Sequence, residues 1–200
     1  NPNNQELIGT FSIPSVTVNG VVLTNNSTLE ITAALTGTGT LTQADFSVLN
    51  INFTGAPTIT ALDATADENT VNYIFGGPQT VIGTNYYNLF LGNSDVKTLQ
   101  TGTTNIGGDF TLDGTAITTA VTGLTIARNV VTGAGTILHA GDFTHAVAGN
   151  ITNNGEFDAG TLGGPSTILF DGSSLQTITN TGTGHIENIT VNNSGDGILL

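Results

Sequence analysis

At 200 residues the chain is long enough to seal one hydrophobic core, or two small ones, without disulfides or metals. Cysteine, methionine and tryptophan are absent, which removes thiolate nucleophiles, disulfide frameworks and soft metal ligands from consideration. Two cations, Lys97 and Arg128, stand against fifteen Asp and Glu for a formal charge of -13, which excludes a nucleic-acid backbone as partner, disfavours anionic membrane surfaces and attracts divalent cations.

Helical spacing of apolar residues is missing almost throughout, and Gly, Thr and Asn are abundant, so the predicted elements are strands. They fall at 15–19, 21–24, 28–33, 46–53, 58–62, 71–75, 87–91, 109–112, 124–131, 136–139, 143–147, 167–170 and 186–192. Asn-Gly, Gly-Gly-Pro and Asp-Gly groups separate them, the residues that accept turn geometry. The first two strands flank Asn19-Gly20 between alternating apolar residues, the strongest short hairpin signal, so the N-terminal end admits an antiparallel hairpin or cap. After the strand at 58–62, Asp63, Asp67 and Glu68 gather three carboxylates within seven residues, and 192–197 offers oxygen ligands on a glycine-rich turn. Either segment could hold a structural calcium or stay a solvated loop; neither follows the twelve-residue EF-hand pattern or the glycine-aspartate nonapeptide.

Two echoes run through this order of strands. The segment 73–82, running through Phe75-Gly76-Gly77-Pro78-Gln79-Thr80, is answered by 168–178, running through Phe170-Asp171-Gly172-Ser173-Ser174-Leu175-Gln176-Thr177, and 88–94 is answered by 188–194. A shorter phrase of small residue, Asp, Phe and hydroxyl recurs at 44–47, 108–111 and 141–144, at spacings of 64 and 33 residues. Repetition of this kind suits a parallel β-solenoid, in which no coil can bury its apolar side alone and each supplies a partner for the next. The expected fold is therefore all-β, a parallel β-solenoid, with an antiparallel β-sandwich as the alternative. Residues 1–69 read as an N-terminal segment or cap and 70–200 as the repetitive solenoid, or 1–200 as one continuous domain. Phe46, Phe75, Phe110, Phe143, Leu169 and Ile189 are the expected core residues.

The phrase from Phe170 through Gly172, Gln176 and Ile178 to Asn188-Ile189-Thr190-Val191-Asn192-Asn193-Ser194, with the Gly-Asp-Phe-Thr unit at 108–111, resembles repetitive segments of large secreted Bacteroidota surface proteins, the gliding-motility adhesins among them. The match covers 70–200 well and 1–69 loosely, and the earlier copy departs from it at Gly76-Gly77-Pro78 and Phe90. The resemblance implies a cell-surface stalk or adhesive filament exported by the type IX pathway, and it carries no catalytic residue.

Lyases and hydrolases are also built on β-helices, and their chemistry would need a carboxylate pair or a cation beside bound calcium. Asp109 with Asp113, and Asp142 with Glu156 or Asp158, are the nearest pairs in sequence, and solvated coil edges are the competing reading. His139, His145 and His185 could suggest a metal site, although 139 and 145 on one continuous strand would stand about 20 Å apart. Tyr73, Tyr86 and Tyr87 offer either a sugar-stacking platform or packing, with the adjacent pair facing opposite ways. Thr-Gly-Thr runs lie in two separate places rather than in every coil, which argues against an ice-binding ladder, and Asn-x-Ser/Thr triplets follow from a composition rich in both residues.

Charged residues make up only 8%, so Thr, Asn, Ser and Gly must carry solubility, which points to the extracellular side of the cell surface. No basic-then-apolar leader opens the chain and no apolar run approaches a membrane span, which reads as an excised internal piece. The expected function is a non-enzymatic structural or adhesive module of an extracellular appendage, stalk or filament, with no cofactor beyond the calcium. Expected partners are other copies or modules of the same surface protein, glycans or surfaces, without nucleic acid or membrane insertion. The alternative is a carbohydrate-binding or polysaccharide-cleaving β-helix protein.

Overall fold

The computed structural model describes residues 4–158 and 165–200, with Asp158 described by its backbone. Every regular element among them is a strand, and every strand pairing is parallel. The chain winds as a stack of coils, a β-solenoid of about nine turns. Each coil lays one strand against the coil before and one against the coil after, so Thr28 stands opposite Val48, Val48 opposite Thr70 and Thr70 opposite Asn88. Coil length runs from 18 residues, where Thr10 meets Thr28, to 27, where Ile151 meets Ile178.

Three faces enclose the core. On the first, alternation sends Leu29, Leu49, Val71, Leu89, Phe110, Val130 and Ile151 inward in one column, each stacked on its register partner. On the third, Ala64, Tyr86, Ile106, Ile126, Val147 and Phe170 form the matching column. The second face is built from Gln79–Thr80, Ser94–Thr98, Thr115–Thr119, Ile137–His139, Glu156–Asp158 and Thr183–His185. Its inward column is polar at one end and apolar further on: Gln79, Lys97, Thr118, Leu138, Phe157. Burying a Leu, Ile or Phe at one of these positions contributes roughly 1.5–3 kcal/mol, and stacking makes each contribution depend on the neighbouring coils.

The N-terminal coils turn differently. The strand Thr28–Gln43 runs through two corners without a break and serves all three faces, pairing with Thr10–Thr17, Val48–Ile51, Thr58–Asp63 and Val22–Asn25 along its length. Its second bend centres on Gly37 at φ +120°, where a Cβ would collide with the Val18 carbonyl, so glycine is required. The inward columns nevertheless cross position 69 without interruption.

The hairpin expected around Asn19-Gly20 does not form. Thr10–Thr17 pairs with residues 28–36 and Val22–Asn25 with residues 40–43, both parallel, so Asn19-Gly20 is a corner between faces. A type I′ turn needs positive φ at both central residues, and only Gly20 has it. The Thr38 amide of the next coil donates to Asn19 Oδ1, and Val18 N donates to Thr36 O, which holds the chain going forward instead of back.

The echoes also take a different place from the expected one. Gln79 leads from the first face to the second, whereas Gln176 leads from the third face to the first. The repeated phrase is a corner device used at two corners of the stack. The three Phe phrases are unrelated to one another: Phe46 is 75% exposed on a turn at φ 60°, Phe110 is buried on the first face, and Phe143 is half-buried before the strand Thr144–Val147. Of the expected core residues Phe110 alone is fully buried; Phe75, Phe143 and Leu169 are half-buried, and Ile189 and Phe46 are exposed.

Candidate functional site

Several buried polar side chains at the corners of the stack bond to backbone. Gln79 Nε2 donates to Ile51 O at 2.8 Å and Phe53 O at 3.0 Å, while its Oε1 accepts from Phe75 N at 3.0 Å. Gln176 repeats the arrangement: Nε2 donates to Val147 O at 2.8 Å and Gly149 O at 2.6 Å, and Oε1 accepts from Gly172 N at 3.0 Å. A corner takes three peptide groups out of strand pairing, and one buried amide satisfies all three. Along another edge the side-chain oxygens of Asn88, Asp109, Asn129 and Asn150 accept the main-chain amides of Asp109, Asn129, Asn150 and Thr177, a ladder climbing one coil per step.

Four ionisable groups are buried with them. Lys97, fully buried, donates from Nζ to Phe75 O at 2.6 Å and Gly77 O at 3.0 Å, and burial pulls its pKa down to about 8. Tyr73 and Tyr86 clamp one peptide: Ile82 N donates to Tyr73 Oη at 2.8 Å, Tyr86 Oη donates to Ile82 O at 2.7 Å, and the two hydroxyls meet at 3.2 Å. Burial pushes Tyr73 up to about 12 and Tyr86 well above its ordinary value. The sugar platform therefore lacks two of its three rings, since Tyr73 and Tyr86 serve the core. His145 is neutral and fixed in one tautomer, because Nδ1 accepts from Leu124 N at 3.3 Å and Nε2–H is left to donate to Ala140 O at 2.8 Å. Burial lowers its pKa.

The surface gathers its chemistry at one corner. Arg128 Nη2 donates to Glu68 Oε1 at 2.6 Å, Tyr87 Oη donates to the same oxygen at 3.2 Å, and the guanidinium lies 5.3 Å from the Tyr87 ring centroid. Gly108 leaves room for the ring, since a Cβ there would meet Tyr87 Cε1 at 2.8 Å. The Arg128 guanidinium holds the Glu68 carboxyl below the usual carboxylate range. One coil back, Asp45 Oδ1 accepts from Asp67 N at 3.1 Å and Phe46 N donates to Asp67 O at 2.9 Å, which presents the Phe46 ring to solvent. Glu68 and Phe46 both hold positive φ, 57° and 60°, in successive coils.

The calcium candidates do not converge here. Asp63 Oδ1 accepts from the Thr65 hydroxyl at 2.9 Å, Glu68 is engaged by Arg128 and Tyr87, and Asp67 lies against Asp45 through its amide. Among the described side chains no three of His, Asp and Glu close on one point. Asp109 serves the corner ladder through Asn129. The sequence reading missed the Glu68–Arg128 pair, 60 residues apart, because only coil register brings the two together. It also missed Lys97, where an alternating polar-apolar run gives no sign that the lysine is the inward residue.

A cavity of about 20 Å³, lined by Leu124, Leu138, His145 and Phe157 among others, is the void within the coils; it has room for about one water. Two open depressions of about 400 and 430 Å³ are lined by glycine, threonine and short aliphatic residues, with Glu156 in the first and no ionisable group in the second. Neither family models, nor curated proteins, nor solved structures contain a match to this chain.

Proposed function

We propose that the chain is a non-enzymatic structural module of an extracellular appendage, stalk or adhesive filament, in which stacked coils act as a stiff spacer. The observation that carries this reading is the commitment of buried side chains to main-chain groups where the stack turns, Gln79 at one corner and Gln176 at another. Such bonds stiffen a stack and leave few groups for a substrate. Low charge and an outer surface of Thr, Asn and Ser support an extracellular setting, as does the resemblance of 70–200 to Bacteroidota surface repeats. Other copies or modules of the same surface protein are the partners this reading favours. Electron microscopy of the native material tests it: tethered stalks or filaments of the stack's width are expected, and compact isolated particles would overturn it.

A second reading, a carbohydrate-binding or carbohydrate-cleaving β-helix, is favoured by the corner where Phe46 stands exposed near Asp67, Glu68, Tyr87 and Arg128. Aromatic faces beside paired polar groups are what sugar rings bind. A glycan array run with Phe46→Ala and Tyr87→Ala, alongside a lyase assay, separates the two. Binding lost in both variants would establish the corner as a glycan site; cleavage abolished by changing one carboxylate would replace the structural reading.

A further inference from the structure

The chain has two Asn-Gly pairs, Asn19-Gly20 and Asn154-Gly155, and each lies at a corner between strands. In such a pair the glycine nitrogen can close a succinimide ring on the asparagine side-chain carbonyl, because no Cβ on the glycine hinders its approach. Whether the ring closes in a folded chain depends on how freely that nitrogen can reach Cγ. Asn19 and Gly20 are both exposed, and a Cβ built on Gly20, at φ +67°, meets nothing within 4 Å. Among the described residues the Gly20 nitrogen donates to no acceptor. The corner is pinned on either side of the pair, by Val18 N donating to Thr36 O at 2.9 Å and Thr40 N donating to Val21 O at 3.0 Å. Between those bonds the Thr38 amide donates to Asn19 Oδ1 at 3.3 Å. That donor faces the oxygen on which negative charge collects when Cγ is attacked, the part played by an oxyanion-hole amide. Asn154 also has a donor, since the Thr181 hydroxyl meets its Oδ1 at 2.7 Å, but its glycine differs. Gly155 is buried between neighbouring coils, where a Cβ would meet Gly133 O at 2.5 Å and Thr136 O at 2.6 Å, and a Cβ on Gly182 would strike the Gly155 carbonyl.

We propose that Asn19 is a site of self-modification, a deamidation that the folded chain carries out at this corner and withholds at Asn154. Gly20 N gives up its proton and bonds to Asn19 Cγ, the Cγ–Nδ2 bond breaks, and the side-chain nitrogen leaves as ammonia with that proton. Water then adds to either carbonyl of the succinimide and opens the ring, leaving aspartate or isoaspartate at position 19. Either product adds a negative charge at a corner where the Thr38 amide stands as a donor, and a hydrogen bond to an ionised acceptor is stronger than the neutral one it replaces. At Asn154 the packed coils hold the glycine peptide in place, so the same ring closure would require neighbouring backbone to move.

Peptide mapping by mass spectrometry of the full chain tests this, with one sample incubated folded in mildly alkaline buffer and a second in concentrated urea. In the folded chain Asn19 should convert at least about tenfold faster than Asn154, since a reacting atom held about 1 Å out of place can cost about 100-fold. In urea the two sites should convert at similar rates, because unfolding frees both glycine nitrogens. Thr38→Pro removes the amide that faces Asn19 Oδ1 and should slow conversion at Asn19 about tenfold or more in the folded chain while leaving the rate in urea unchanged. Circular dichroism checks that this variant keeps the wild-type β spectrum, and the comparison of the two sites in the unsubstituted chain decides the matter without any variant. Equal rates at the two sites in the folded chain, faster conversion at Asn154, or an Asn19 that stays intact until the chain is unfolded would overturn the proposal.

Discussion

Gln79 and Gln176 show how much one side chain carries when a stack turns a corner. Replacing Gln79 by Leu fills the same space but leaves the Ile51 and Phe53 carbonyls and the Phe75 amide without partners inside a closed turn. Each orphaned buried group costs about 1–3 kcal/mol with partial relaxation, so a loss of about 2–4 kcal/mol is expected for Gln79→Leu in urea unfolding, and a similar loss for Gln176→Leu. A loss under about 0.5 kcal/mol would mean that water satisfies these corners. The buried titratable groups set the pH profile. Lys97 falls from 10.5 to about 8 on folding, so between those values the unfolded chain holds more protons, and stability rises as pH increases through that window. Tyr73 rises from 10.0 to about 12 and Tyr86 moves the same way, so above about pH 10 the unfolded chain releases protons first and stability falls. His145, lowered by burial, adds an acid limb, with stability lost as pH drops below its ordinary 6.5. A maximum near pH 10 is expected in urea midpoints; Lys97→Met should flatten the rise on its alkaline approach, and an unchanged slope in that variant would show that the amine is solvated.

At the scale of the element, the corner ladder makes strands depend on one another through side chains as well as through pairing. Asn129 donates to Asp109 and accepts from the Asn150 amide, so Asn129→Ala breaks two rungs in two different coils. About 1–2 kcal/mol should be lost, and hydrogen exchange should quicken at Asn150 while remaining unchanged at residues 28–31; uniform quickening would show that the stack unfolds as one unit. The all-β class was legible because β-branched residues alternate in short runs between glycine and asparagine turns, a pattern no helix shares, while the parallel stacking was read from the repeats. Coil length was not legible, since it varies from 18 to 27 residues and hides the period. Phe75, one of the expected core residues, is half-buried for a local reason: its ring lies over Gly77, as the half-buried Phe90 lies over Gly92, folded onto bare backbone. Strands such as Ser94–Thr98 and Thr115–Thr119 escaped notice because their inward residues, Lys97 and Thr118, are polar. For the same reason the Glu68, Tyr87 and Arg128 corner was invisible: its members become neighbours only once the coils are stacked.

For the whole molecule, about nine turns at roughly 4.8 Å each give a rod of about 45 Å along its axis, with main-chain hydrogen bonds running along that axis. A pull along the axis loads those bonds one coil at a time, because the strands lie across the direction of force and main-chain pairing joins each coil to its immediate neighbours, with the exposed Glu68–Arg128 pair a longer tie across the corner. The unit of mechanical failure should therefore be the coil. At about 3.3–3.6 Å per extended residue, coils of 18 to 27 residues release roughly 60–95 Å each. Force spectroscopy on the chain held at its two ends should show a staircase with steps of that size, and the longest step should come from the coil between Ile151 and Ile178. Gln176→Leu should lower the force of the steps that include its corner and leave those of the N-terminal coils unchanged. A single rupture releasing the full contour length would mean that the coils fail together, and a spacer built to yield coil by coil would then be the wrong description of this rod.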